Sequence, residues 1–135
     1  MAGPFIYSDP PVDTILGQER EGFNAFVTSV TDAVGIPLAI VMSPQRDGRV
    51  VILRQLLMAV ARLELEWTFQ RVGAFFKRDH ATAVHGVKQV RNRLDVGDWT
   101  LWFQKCAIAC DTAFQTQYDQ PLKSFEKCLT AKKSA

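Results

Sequence analysis

Residues 75–93, FFKRDHATAVHGVKQVRNR, decide how the chain is read. They hold both of its histidines, His80 and His85, and, after the opening pair of phenylalanines, five of its 16 Lys and Arg residues. Asp79 stands where a helix N-cap belongs, so a helix is expected to start at His80. Three readings compete for that helix: a histidine-based site, a solvated charged face, or a face built to lie against something anionic.

Helical spacing gathers Ala83, Val84, Val87, Val90 and Leu94 on one side, which is expected to be buried. Opposite them stand His80, Ala81, Thr82, His85, Lys88 and Gln89, with no carboxylate except Asp79 at the start. That face offers donors, acceptors, a methyl group and a cation, which suits the base edges and thymine methyls of a DNA major groove. The helix N-terminus adds unpaired N–H groups and a positive dipole end, which favour phosphate. The two histidines lie some 140° apart at ~100° per residue, and neither HExxH nor a zinc-spaced cysteine pair accompanies them. No catalytic residue, metal or cofactor is expected. Residue types alone leave the solvated and the DNA-reading faces both open.

Upstream, the break before this helix is only Lys77, Arg78 and the capping Asp79. Thr68 is placed to N-cap a short helix over FQRVGAFF, so two helices joined by a tight turn form a helix-turn-helix. Trp67 and Phe69 read as core residues that seat it. A longer helix is expected over 50–65, with Leu53, Leu56, Leu57, Val60, Ala61 and Leu63 inside and Arg54, Gln55 and Arg62 on its polar side. Before it lies the polar loop SPQRDGR (43–49), and before that an apolar turn, PLAIVM. Phe23, Phe26, Val27, Val30 and Val34 mark an amphipathic helix over 18–34, stopped by Gly35. Residues 1–13 hold Pro4, Pro10, Pro11, Asp9 and Asp13 and read as a disordered arm. Downstream, Asp98 is expected to cap a helix whose Trp99, Trp102, Phe103, Cys106, Cys110, Ala113 and Phe114 form one apolar stripe. Pro121 separates a last amphipathic helix. No segment alternates like a strand, so the fold class is all-α. Its parts are an acidic arm (1–21), a helix-turn-helix domain (22–96) and a C-terminal helical extension (97–135).

The formal net charge of +2 over 135 residues hides a segregation. Residues 1–45 carry one Arg against five acids, 46–93 carry ten Lys and Arg against four acids, and 94–135 balance five against five. A basic middle of net +6 is the footprint of a polyanion binder. The opening residues have neither the basic nor the apolar region of a secretory leader, and an odd number of cysteines (three) speaks against a disulfide scaffold. A cytoplasmic, nucleoid-associated protein is expected.

The run RDHATAVHGVKQV (78–90) resembles the signature of domain IV of the bacterial replication initiator DnaA, RDH-T-T-V-x-H followed by a basic residue. RQLLMAVARLEL (54–65) resembles the same family's helix RQ-x-A-M-y-L-x-R-E-L, and SPQRDGR sits where its basic loop lies. The likeness spans roughly residues 27–94. It implies sequence-specific binding of double-stranded DNA. By position, Arg46 would enter the minor groove with Arg49 nearby. Arg54 and Gln55 would match a base-contacting Arg and its polar neighbour, and Arg62 a phosphate contact. Arg78, Asp79, His80, Thr82 and His85 match the signature itself, and Lys88 lies close to its trailing basic residue. Two departures stand out: Ala81 replaces the first signature Thr, and Phe76 and Lys77 replace a glycine-rich turn.

The chain contains no G-x-x-x-x-G-K-[ST] loop, so it reads as a DNA reader detached from an ATPase. Domains resembling this one occur in phage and gene-transfer-agent loci, which implies a transcriptional activator working as a monomer. Trp99, Trp102 and Phe103 would then offer a docking surface for RNA polymerase or a co-activator. Replication control by competition for initiator boxes is the alternative. A protein-interaction module that has lost DNA binding is a third.

Overall fold

The run LLMAVA at residues 56–61 is apolar on every side of a helix, and such a helix must be enclosed by others. The structure, a computed structural model, describes residues 10–97 and 100–126, with side chains from residue 19. It contains α1 (Pro10–Val34), α2 (Leu38–Met42), α3 (Gly48–Leu63), α4 (Phe69–Phe75), α5 (His80–Val96) and α6 (Leu101–Tyr118), and no strand among the described residues. The protein is an all-α helix-turn-helix bundle. All six residues 56–61 are buried, because α5 and α4 cover one side of α3 while α6 and α2 cover others. One core joins every helix.

Helix α1 runs antiparallel to α6. Phe26 meets the rings of Phe114 and Tyr118 at 5.9 and 6.4 Å, while Val34 and Ile36 lie beside Leu101 and Trp102. Phe23 carries α1 over to the helix-turn-helix, with its ring 4.8 Å from both Trp67 and Phe75. Gly35 ends α1 at φ +82°, and its N–H and that of Ile36 both return to the Thr31 carbonyl. The five apolar positions expected to line α1 are all buried.

The helix-turn-helix depends on one close approach. Lys77 takes a left-handed backbone at φ +58°. Its N–H donates to the Ala74 carbonyl at 3.2 Å, and that of Arg78 to the Gly73 carbonyl at 2.8 Å. This is a Schellman closure with lysine where glycine is usual. The turn folds back over Gly73 so tightly that a Cβ there would lie 2.7 Å from the Arg78 carbonyl oxygen and 2.8 Å from that of Asp79.

Several expectations are corrected. Residues 10–21 of the supposed arm are helical, since α1 begins at Pro10 rather than at residue 18. Proline fits there because the first turn needs neither its N–H nor a freer φ. PLAIVM is not a plain turn but contains α2. Val84 is 40% exposed. Gly86 takes the close contact with α3 instead, where an added Cβ would meet Met58 Sδ at 3.0 Å, and the buried strip of α5 turns that way. Arg54 is not on a solvated side but buried. Helix α6 starts after Thr100; the expected cap Asp98, and Trp99, lie outside the described residues. The 97–126 segment is no separate extension, because Phe103, Cys106, Cys110, Phe114, Leu122 and Phe125 enter the common core. After Pro121 the chain makes a turn that Glu64 holds, accepting from the Ser124 N–H at 2.8 Å and from its hydroxyl. The last helix expected beyond it lies outside the described residues. Cys106 and Cys110 are free and buried. Burial pushes the Cys106 thiol up to about 12 and that of Cys110 well above its ordinary value.

Gly73→Ala tests the close approach. Helix propensity alone would add about 1 kcal/mol of stability. The clash is with backbone, which cannot swing aside, so overpacking of about 1–3 kcal/mol wins. Urea unfolding should therefore show a net loss of stability, and a gain would mean that the turn yields.

Candidate nucleic-acid interface

A groove of ≈ 450 Å³ runs between the 43–47 loop, the first half of α3 and the start of α5. Arg46 and Pro44 come from the loop, Arg54, Gln55 and Met58 from α3, Lys77 and Arg78 from the turn, and Thr82 and His85 from α5. Four of these side chains are cationic and none is a carboxylate. Pro44, Val51 and Met58 add apolar surface to these cations and to Gln55, Thr82 and His85, so the groove attracts an anion while still offering surfaces that discriminate shape and hydrogen bonding.

Local chemistry fixes each wall. Asp47 caps α3, its Oδ1 accepting the Arg49 N–H at 3.0 Å. Thr68 caps α4, accepting from Arg71 at 3.1 Å, and Asp79 caps α5, accepting from Thr82 at 2.9 Å. Hydrogen bonds from the Thr82 backbone and hydroxyl hold the Asp79 carboxyl below its ordinary range. Arg54 Nε donates to the Val41 carbonyl at 2.8 Å, and its Nη2 to those of Ser43 and Gln45 at 3.0 and 3.1 Å. Arg78 reaches the same stretch, donating to Ser43 at 2.6 Å and, within its own turn, to the Phe76 carbonyl at 2.8 Å. Burial and the nearby Arg78 guanidinium lower Arg54 to about 10.

The residues read from sequence divide into groups. Arg46, Arg54, Gln55, Arg78, Thr82 and His85 are brought together in the groove. His80, Ala81 and Lys88 are exposed on α5 without lining it, and Asp79 serves as the cap. Arg49 and Arg62 stand apart. The Arg49 guanidinium lies 4.8 Å from the Trp102 ring, whose Nε1 donates to the Arg49 carbonyl at 3.0 Å. Arg62 lies 4.5 Å from the Phe69 ring and donates to the Trp67 carbonyl. Of the three residues expected to meet a partner, Trp99 lies outside the described residues and Trp102 is half-buried. Phe103 is wholly buried, so it serves the core and cannot be part of a docking surface.

Lys77 was missed as a groove cation, although its place in the tight turn signals it. Gly86 was missed too; a small residue between Val84 and Val87 marks where α5 presses on α3. Among the described residues no group of three or more His, Cys, Asp or Glu side chains is placed to hold a metal ion, and no helix is long and apolar enough to cross a membrane.

Residues 25–90, which contain the whole groove, match the family described as the bacterial dnaA protein helix-turn-helix. That segment belongs to the DnaA helix-turn-helix family. The match supports binding of double-stranded DNA. The chain is similar to the chromosomal replication initiator protein DnaA of Mycoplasma pneumoniae, 29% identical over 91 residues, which is 62% of this chain and 21% of that protein. It is also 28% identical over 72 residues to the chromosomal replication initiator protein DnaA 2 of Protochlamydia amoebophila, covering 53% of this chain and 16% of that one. The chain thus spans about a fifth or less of these DnaA relatives. No solved structure matches it.

Asp79→Ala tests how α5 is started. The Asp79 carboxyl is depressed in the folded state, so its contribution is present above the unfolded Asp value of about 3.9 and is lost as pH falls through the folded one. Thermal melts should place the variant below the native protein at pH 7, with the gap closing on acidification. A gap constant down to pH 2 would show that the carboxylate's charge is not what matters.

Proposed function

We propose that the protein reads double-stranded DNA sequence-specifically as a monomer and acts as a transcriptional regulator, activating phage- or gene-transfer-agent-like genes. The observation that carries the DNA reading is the groove without carboxylates that joins Arg46 of the loop to Thr82 and His85 of α5. In this reading α5 lies in the major groove. His80, Thr82, His85 and Gln55 meet base edges, and the Ala81 methyl, which replaces a hydroxyl in the family signature, meets a thymine. Arg46 enters the adjacent minor groove, and Lys77 and Lys88 face phosphates. Arg49 and Arg62 contribute at the margins, since both guanidiniums are already stacked on rings.

Support for regulation comes from the likeness to DnaA-like domains of such loci. It comes also from a face of α6, where Leu101 is 80% exposed beside Trp102 and Lys105. RNA polymerase or a co-activator is the partner this reading assigns to that face. Replication control is favoured by the names of the two relatives, both chromosomal replication initiators. Against it stands Ala81, because a competitor for the same boxes would keep the same reading residues.

Capture of sheared genomic DNA by the purified protein, followed by sequencing, tests this, with His85→Ala as control. Peaks upstream of a few operons, lost in the variant, are expected. Peaks over an array of origin boxes would replace regulation by replication control, and no variant-sensitive enrichment would end the DNA reading. On a captured duplex, log affinity should fall with log salt at a slope of about −0.9 per phosphate neutralised. Affinity indifferent to salt would remove the electrostatic basis of the site.

A further inference from the structure

Five residues, 43–47, separate α2 from α3, and the carbonyls of Val41 and Met42 at the end of α2, and of Ser43 and Gln45 beyond it, have no ladder to enter. Such carbonyls at a helix end must find other donors. Two arginines from distant points of the chain supply them. Arg54 is 6% exposed and gives Nε to Val41 and Nη2 to Ser43 and Gln45. Arg78 gives Nη2 to Ser43 at 2.6 Å and directs Nη1 toward Met42 at 3.5 Å. Both guanidiniums meet on the Ser43 carbonyl, and no carboxylate lines the groove around them.

The positions matter. Gln45, held by Arg54, immediately precedes Arg46, and Arg78 immediately precedes Asp79, the cap of α5. We propose that Arg54 and Arg78 form a clamp that fixes the Arg46 loop against the start of α5, making them positioning residues for sequence discrimination rather than direct readers of DNA. The inference rests on the DNA reading above. Three of the five N–H donors of Arg54 are spent on the loop, leaving Nη1 alone for any other partner. A guanidinium suits this task because its planar fork bridges several carbonyls at fixed spacing. A lysine ammonium keeps the charge but is a single point and cannot.

Arg54→Lys and Arg78→Lys therefore separate a clamp from a phosphate contact. The probes are a duplex enriched from a random pool by the native protein and a scrambled duplex of the same composition. Fluorescence anisotropy is read over a salt series on variants shown by thermal melts to be folded. The clamp predicts that affinity for the enriched duplex falls about tenfold, the order of one lost base contact. Affinity for the scrambled duplex and the salt slope should stay as they are. On an Arg46→Ala background, Arg78→Lys should cost no further discrimination, since the clamp acts through Arg46.

Lysine variants that discriminate as well as the native protein overturn the proposal. So do equal losses on both duplexes, which would mark a direct backbone contact, or losses that add to that of Arg46→Ala. If Arg54→Lys does not fold, Arg78→Lys carries the test, because Arg78 is only half-buried. A native protein that enriches nothing from the pool fails at the earlier step and sinks the DNA reading itself.

Discussion

Six consecutive positions of α3, residues 56–61, are withdrawn from solvent together, and everything else in the bundle follows from enclosing them. A side chain such as Leu56 or Leu57 is worth about 1.5–3 kcal/mol when fully buried, and an apolar run around the whole helix needs cover on every side. Helix α5 comes close only because Gly86 has no side chain to hold it off Met58 and Gln55. Helix α4 is brought in by the turn over Gly73, and α6 closes the far side with Phe103, Cys106 and Phe114. The same helix that anchors the core also carries Arg54 and Gln55 into the groove. Core and groove share one element.

Charge is arranged around that element with little neutralisation where the groove opens. The basic middle of the chain is not spread evenly: Arg49, Arg62 and Arg71 lie over aromatic rings of Trp102, Phe69 and Trp67. These contacts use the cations to cover apolar surface. Arg46, Lys77 and the two clamp arginines instead face one groove. The ion pair of Arg71 with Glu19, at 2.7 Å, ties α4 to α1 away from it; exposed pairs of this kind contribute little to stability. Four cations are thereby collected between the loop, α3 and the turn before α5.

Much of this is written in the sequence, and the rest is not for identifiable reasons. The caps Thr68 and Asp79, the stop at Gly35 and the apolar steps of α1 are local signals, and the structure realises each of them. The outward residues of α5, from His80 to Lys88, follow from periodicity once the cap sets its start. Periodicity gave Arg54 to solvent because it counts residue types and cannot see that loop carbonyls 9–13 positions away need its donors. It gave Val84 to the core because it cannot see that Gly86 shifts the contact line. Phe103 reads as a docking residue only if the C-terminal helix stands apart from α1 and α3, and it is wholly buried. The antiparallel pairing of α1 with α6 is a long-range fact that no local pattern contains. Lys77 in a left-handed turn is the inverse case: geometry normally asks for glycine there, and the sequence carries a lysine.

The buried thiols of α6 have a practical meaning. Cys106 and Cys110 face inward beneath α1 and α3, and burial disfavours the thiolate at both. Only the thiolate attacks a disulfide or an alkylating reagent. While the bundle is closed, neither sulfur is chemically accessible, and each becomes so when α6 parts from its neighbours. The rate at which these two positions take up a label is thus a clock for the parting of α6 from the rest of the bundle.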